Sequence, residues 1–227
     1  MKPTLMATVT PRQWSAEQMQ DVTFRFEIHN SGSSALEIFP KTIALKWLMS
    51  QAGLGMEWDL AFAGMEPGAR SHGVELRTYY GPPGEPVNAT WLESTRLRLE
   101  PGAKWNTTLT ACWIPRRLLV PASLDPATLD PKGYDNIEAA RIDLTQASVL
   151  VFGSTCESMR AAMAAGPEFL RGHVVVFFDR AGQYVLTATY RQQPILYPFV
   201  QTLTIEAAPI TLDAGASLLY FAGAAAR

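Results

Sequence analysis

The segment Val149-Leu150-Val151-Phe152-Gly153-Ser154-Thr155-Cys156-Glu157-Ser158 gathers the residue types best suited to chemistry. An apolar run, a Gly-Ser-Thr loop and a helix start would aim unsatisfied backbone N–H groups outward, which makes a ready anion site. Cys156, in the first turn of that helix, would have its thiolate stabilised by the helix dipole. His173, seventeen residues on, is a candidate base, with Glu157 or Asp179 to orient it. One reading is therefore a thiol- or anion-site enzyme built on Ser154, Thr155 and Cys156. The plainer reading needs no ligand: Ser154 is an N-cap and Glu157, three residues later, completes a capping box. Cys156 then shares a helix face with Met159 and Met163 as a small core residue.

Gly153-Ser154-Thr155 is similar to the phosphate loop of flavodoxins. In that family the loop follows the first strand of a doubly wound sheet, whereas here it stands two-thirds along a chain dominated by strand patterns. Nor does Gly-x-x-Cys-x-Ser match the Gly-x-nucleophile-x-Gly of a nucleophile elbow. The three histidines, His29, His72 and His173, lie in different segments, with no two at ligand spacing. Asp125, Asp130, Asp135 and Asp143 do not follow the alternate-residue spacing of a calcium loop, and turn formation accounts for the Asp-Pro pairs. No metal and no cofactor is expected.

Six tryptophans are many for 227 residues. Trp47, Trp105 and Trp113 fit core positions. Trp14, Trp58 and Trp91 fall near loops or edges. With Tyr79 and Tyr80, the residues Trp58 and Trp91 are candidates for an aromatic binding surface of the kind that sugar-binding modules and protein interfaces use.

A hydrophobic content of 48% with 18% charged residues is ample for a core. The net charge of −2 and the absence of a basic run argue against a nucleic-acid partner. No uncharged apolar stretch approaches the ~20 residues needed to span a bilayer. Without an apolar h-region after Met1-Lys2-Pro3, the expected compartment is the cytoplasm, or the exterior if a leader was removed. Cys112 and Cys156 are then expected as reduced thiols, with a bridge between them open if the protein is exported. Asn88-Ala89-Thr90 and Asn106-Thr107-Thr108 match the glycosylation sequon and are read as chance.

The elements that must position these residues are mostly strands. Val22, Phe24, Phe26 and Ile28 alternate with Thr23, Arg25, Glu27 and His29, which predicts a strand with one buried face. Ile43–Met49 and the set Met56, Trp58, Leu60, Phe62 predict a hairpin, and Val74–Tyr80 a short strand. Trp105, Thr107, Leu109, Ala111 and Trp113 predict a long strand after the turn at Pro101-Gly102. Ser148–Phe152 reads as a buried strand and 155–165 as the one helix, stopped by Gly166-Pro167. Val174, Val176, Phe178, then Tyr184, Leu186, Ala188, Tyr190, then Phe199, Gln201, Leu203, Ile205 give three more. Ile210–Phe221 is a tail with room for an edge strand.

Asp179-x-x-Gly182-x-Tyr184-x-Leu186 resembles the tyrosine corner of immunoglobulin-like β-sandwiches. Leu99-x-Pro101-Gly102 resembles a turn frequent in bacterial β-sandwiches. The first resemblance implies that Phe24 and Phe26 belong to the second strand, Trp47 to the third, and Tyr184 and Leu186 to the sixth. Leu186 and Phe26 or Ile28 then stand where antibody domains place their disulfide. The long span from Trp47 to Tyr184 implies an insertion.

The expectation is a mainly β protein, an immunoglobulin-like antiparallel β-sandwich forming one domain over 1–227. It carries a long insertion at 115–172 with one short helix, and a small-residue-rich apolar tail at 210–227. The expected function is non-catalytic: binding another protein, as an accessory or structural subunit of an assembly, or forming a homo-oligomer. The enzyme around Ser154, Thr155 and Cys156 and a carbohydrate-binding module using the loop aromatics are the alternatives.

Overall fold

In a computed structural model of the chain, the residues described are 2–39, 54–62, 93, 96–124, 147–171, 173–178, 180–192 and 202–215, with the backbone alone for 54–62 and Val174. The predicted strands Ile43–Met49 and Val74–Tyr80 and the tail beyond Gly215 lie outside them. The architecture is mainly β, with antiparallel sheets packed together. The strands are β1 (Thr4–Thr10), β2 (Gln13–Trp14), β3 (Gln20–His29), β4 (Leu36–Ile38), β5 (Leu54–Phe62) and β6 (Leu97–Leu99). After them come β7 (Lys104–Ile114), β8 (Ser148–Phe152), β9 (Val174–Phe178), β10 (Gly182–Gln192), β11 (Leu203–Glu206) and β12 (Ile210–Ala214).

The first sheet runs β1-β3-β7-β8-β9, antiparallel throughout. The second is built on β10, with β5 along one side and β12 and β11 along the other, and β2 lies parallel to β12 at its edge. A small pair, β4-β6, accompanies them. Between the sheets, Val22, Phe24, Phe26 and Ile28 of β3 meet Tyr184, Leu186, Ala188 and Tyr190 of β10 in one apolar cluster. Both alternations are those expected from the sequence, because a period of two puts every second side chain on the core side.

β11 and β12 follow β10 as one interrupted strand. Thr189 pairs with Glu206 and Leu186 with Ile210, so Thr187 and Ala188 face the three residues Ala207, Ala208 and Pro209. That extra residue is a β-bulge, and it holds a proline at a place where no ladder N–H is required. The start of the C-terminal tail is therefore a sheet strand with Ile210, Leu212 and Ala214 buried, and its end is flanked by β10 and β2.

β7 shows a change of environment along its length. From Lys104 to Thr110 it alternates between exposed and half-buried positions, but Ala111, Cys112, Trp113 and Ile114 are all buried. Ala111 and Trp113 face the second sheet. Cys112 and Ile114 face the opposite way, into a second apolar cluster with Val149 and Val151 of β8 and Val175 and Phe177 of β9. Covering that face are α1 (Cys156–Ala165), through Cys156 and Met159, and the short 3₁₀ helix Pro167–Leu170, through Phe169 and Leu170. Strands buried on both faces lose polar alternation, which is why Ser148–Phe152 reads as a continuous apolar run.

Gly182 (φ +141°) opens β10 in a conformation that favours glycine, and two residues on the Tyr184 hydroxyl donates to the Arg180 carbonyl at 2.9 Å. This bond ties the turn between β9 and β10 to the core aromatic. Tyr184→Phe keeps the ring and removes the bond, and a loss of about 1 kcal/mol in urea unfolding is expected.

On the outer face of the first sheet, the Glu27 carboxylate lies between Lys104 (2.8 Å) and Arg25 (3.3 Å). The hydrogen bond from Lys104 holds its pKa below the ordinary value of 4.5, against the opposing effect of partial burial. A lowered carboxylate contributes stability that is complete above the unfolded pKa and is lost as pH falls from there through the folded value. Urea midpoints measured from pH 6 down to pH 2 should therefore fall less steeply for Glu27→Gln than for the native chain.

Candidate functional site

The segment with the richest chemistry sits where β8 turns into α1. Gly153 takes φ +71°, a left-handed conformation that a side chain would strain, and its N–H donates to Thr110 at 2.9 Å. The turn aims the next residue inward: Ser154 is buried, with Oγ 3.2 Å from Nδ1 of His173. With that hydroxyl engaged, the N-cap falls on Thr155. The Thr155 side chain accepts from the Ser158 N–H, and the Ser158 hydroxyl accepts from the Thr155 N–H, a reciprocal capping box. The expected cap, Ser154 with Glu157, is thus displaced by one residue. A half-buried hydrogen-bond partner for Ser154, supplied from nineteen residues away, takes the hydroxyl that the local pattern would use.

The helix N-terminus is already occupied. The Cys156 N–H donates to Oδ1 of Asp21 at 2.6 Å, so a carboxylate from the start of β3 stands where a bound anion would. Cys156 is also not a thiol. It forms a disulfide with Cys112, with Cα atoms 4.9 Å apart, and neither cysteine among the described residues is free. The expectation of two reduced cysteines is corrected: the outer-face position of Cys112 on β7 and the first turn of α1 meet across the second apolar cluster. Asp21 is the register partner of Cys112, so bridge, carboxylate and helix end form a closed unit. A nucleophilic thiolate at Cys156 is not available while the bridge is intact.

The remaining hydroxyl chemistry is the Ser154–His173 pair, which is within reach for a nucleophile and its base. Among the described residues, no carboxylate hydrogen-bonds the His173 ring and no group of three His, Cys, Asp or Glu could hold a metal. Asp179, named as an orienter, lies outside them.

The aromatic candidates divide. Tyr79, Tyr80 and Trp91 lie outside the described residues, and Trp58 is placed only by its backbone, on β5 opposite Ala188. Trp14 stands on the edge strand β2, in keeping with a position near a loop or edge, but its side chain is buried in the core. It is 1% exposed, with its ring 5.1 Å from Trp113, 5.5 Å from Phe178 and 6.4 Å from Phe24, and its indole N–H donates to Pro11. The only sequence signal for that is a lone Gln-Trp after a proline, too short a strand to show periodicity.

A second buried polar group sits at the far end of β10. The Tyr190 hydroxyl accepts from the Phe39 N–H at 2.8 Å and donates to the Gln192 carbonyl at 2.7 Å, while the Gln192 amide donates to Glu37. Burial pushes the Tyr190 pKa far above its ordinary value of 10, so the hydroxyl stays neutral. The arrangement ties β4 to β10 and offers no ionisable group for catalysis.

A candidate edge for a partner is β1, which among the described residues pairs only with β3. Its seven residues, Thr-Leu-Met-Ala-Thr-Val-Thr, hold no charge and no proline, and Met6 is 51% exposed. The opposite edge strand, β9, differs: Val175, Val176, Phe177 and Phe178 are at most 6% exposed.

No family model matches the chain, and neither the curated proteins nor the solved structures contain a match to it.

Proposed function

We propose that this chain is a non-catalytic, immunoglobulin-like β-sandwich protein that binds another protein, as an accessory or structural subunit of an assembly. The observation that carries this reading is β1, which among the described residues pairs only with β3. Natural sheets protect their edges with charges, prolines or bulges, and an edge strand of seven residues with neither charge nor proline is suited to receive an added strand. The Tyr184–Arg180 bond supports the immunoglobulin-like part, since the tyrosine corner makes its hydrogen bond to backbone a few residues upstream. The Cys112–Cys156 bridge favours an oxidising compartment over the cytoplasm as the place of action. No helix among the described residues is long and apolar enough to cross a membrane.

The test is recovery of the native assembly from the source organism by gentle affinity purification, using the wild-type chain and a Thr8→Pro variant. A stoichiometric partner with the wild type, lost with Thr8→Pro, is the expected result. Equal recovery with both variants, or no partner with either, would count against docking at β1.

A further inference from the structure

We propose that Asn106 carries an N-linked glycan, standing on the polar half of the first sheet's outer face. This goes beyond protein binding and needs no docking at β1. It rests on one part of the reading above, the oxidising compartment that the Cys112–Cys156 bridge favours.

Asn106-Thr107-Thr108 is one of two glycosylation sequons in the chain. As three letters it is no better than chance, and a match gains weight only from its surroundings: an exposed asparagine, on a protein that enters an oxidising compartment. The fold supplies both on one strand. Asn106 and Thr108 stand two residues apart on β7, so the strand period puts the acceptor amide and the hydroxyl on the same side, and both residues are exposed. Further along β7, Cys112 forms the bridge. The other sequon, Asn88-Ala89-Thr90, lies outside the described residues.

The neighbours of Asn106 suit a bulky solvated group. In register, Asn106 lies opposite Glu27, and Glu27 opposite Met6. In the next row Thr108 lies opposite Arg25, and Arg25 opposite Thr8. Met6 is the one apolar side chain of these two rows. Toward β8 and β9 the same face of the sheet turns apolar, and α1 packs over it through Cys156 and Met159. The helix thus covers the apolar half, and Asn106 stands in the half left polar. A glycan there costs the sheet no ladder bond, because the acceptor is the side-chain amide and the backbone N–H is untouched.

The co-reactant is an oligosaccharide joined to a lipid through pyrophosphate. The Asn106 amide nitrogen bonds to the anomeric carbon of the first sugar, and the bond from that carbon to the pyrophosphate oxygen breaks. The lipid pyrophosphate leaves with the electron pair, and the amide nitrogen gives up one proton. Nothing is oxidised or reduced. The Thr108 hydroxyl is not consumed; it is the group that marks the asparagine as an acceptor.

The experiment uses the full chain isolated from its source organism. Enzymatic cleavage of amide-linked glycans in oxygen-18 water converts each glycosylated asparagine to a labelled aspartate, which peptide mass spectrometry locates. A label at position 106, with the Cys112 and Cys156 peptides disulfide-linked in the same sample, is the expected result. Asn106→Gln and Thr108→Ala, made in the same source, should each lose the glycan, and Thr108→Ser should keep it. All three change exposed side chains, and urea midpoints equal to that of the enzymatically deglycosylated wild type show that the fold is kept. An unlabelled Asn106 in a bridged chain overturns the glycan and leaves the compartment standing. An unlabelled Asn106 with both cysteines reduced overturns the compartment as well. A glycan kept in Thr108→Ala, or lost in Thr108→Ser, overturns recognition through this sequon.

Discussion

Trp113→Ala is expected to lose about 3–5 kcal/mol of stability, the cost of emptying a large aromatic site that its surroundings cannot refill. Trp113 is 1% exposed and its ring packs against Trp14 at 5.1 Å and Phe178 at 5.3 Å. Its indole N–H donates to the Ser15 carbonyl at 2.7 Å, on the segment between β2 and β3. Gly215, at the end of β12, approaches the same ring closely enough that a Cβ there would lie 3.7 Å from it. One side chain thus holds together the first sheet, the segment after β2 and the end of β12. A domain of ordinary stability, about 5–15 kcal/mol, would be left marginal by such a loss. Trp113→Phe should recover part of it, since the ring contacts return and the hydrogen bond does not. Urea unfolding followed by far-ultraviolet circular dichroism reads both variants, and a loss below 1 kcal/mol for the alanine would contradict the central place given to this residue.

The second large effect is the disulfide. Its cysteines are separated by 44 residues, and a loop of that size restricts the unfolded chain by about 4 kcal/mol in the chain-entropy treatment. At ~2–4 °C per kcal/mol for a protein of this size, Cys112→Ala with Cys156→Ala should lower Tm by roughly 8–16 °C. Alanine is the better replacement because both sites are apolar: Cys112 is fully buried and Cys156 is 2% exposed. The same burial predicts that native protein reacts with no iodoacetamide until it is both unfolded and reduced. Alkylation of Cys156 in the native, unreduced protein would remove the bridge from this account and return the thiol reading to consideration. The two destabilised variants need not behave alike. Losing Trp113 opens the space between the sheets, whereas losing the bridge frees α1 from the outer face of β7, leaving the Asp21 carboxylate as a remaining tie to its first turn.

Much of the sheet architecture could be read from alternation. Val22–Ile28 and Tyr184–Tyr190 are long enough for a period of two to stand out, and the core places each of those residues where that period requires. The helix at 156–165 was legible too, within one residue, because its stop at Gly166-Pro167 and its apolar face agree, although the cap falls on Thr155 and not on Ser154. Short elements were not legible. β2 is two residues long, so Trp14 carried no pattern to mark it as core. The break between β11 and β12 shifts alternation by one residue and makes a single partner of β10 look like a strand and a tail. The candidate site was least legible of all, since its residues come from β3, β7, α1 and the approach to β9.

Residue types and their spacing alone determined that this chain builds largely antiparallel sheets around aromatic side chains, with one capped helix. Those are local consequences of period, propensity and turn chemistry, and they need no knowledge of neighbours. Tertiary structure alone decided which of the reactive groups could react. It brought Cys112 to Cys156, Asp21 to the helix end and His173 to Ser154, and it left β1 at an edge, because contacts between segments far apart in the chain are set by how sheets stack and leave no mark on any one segment.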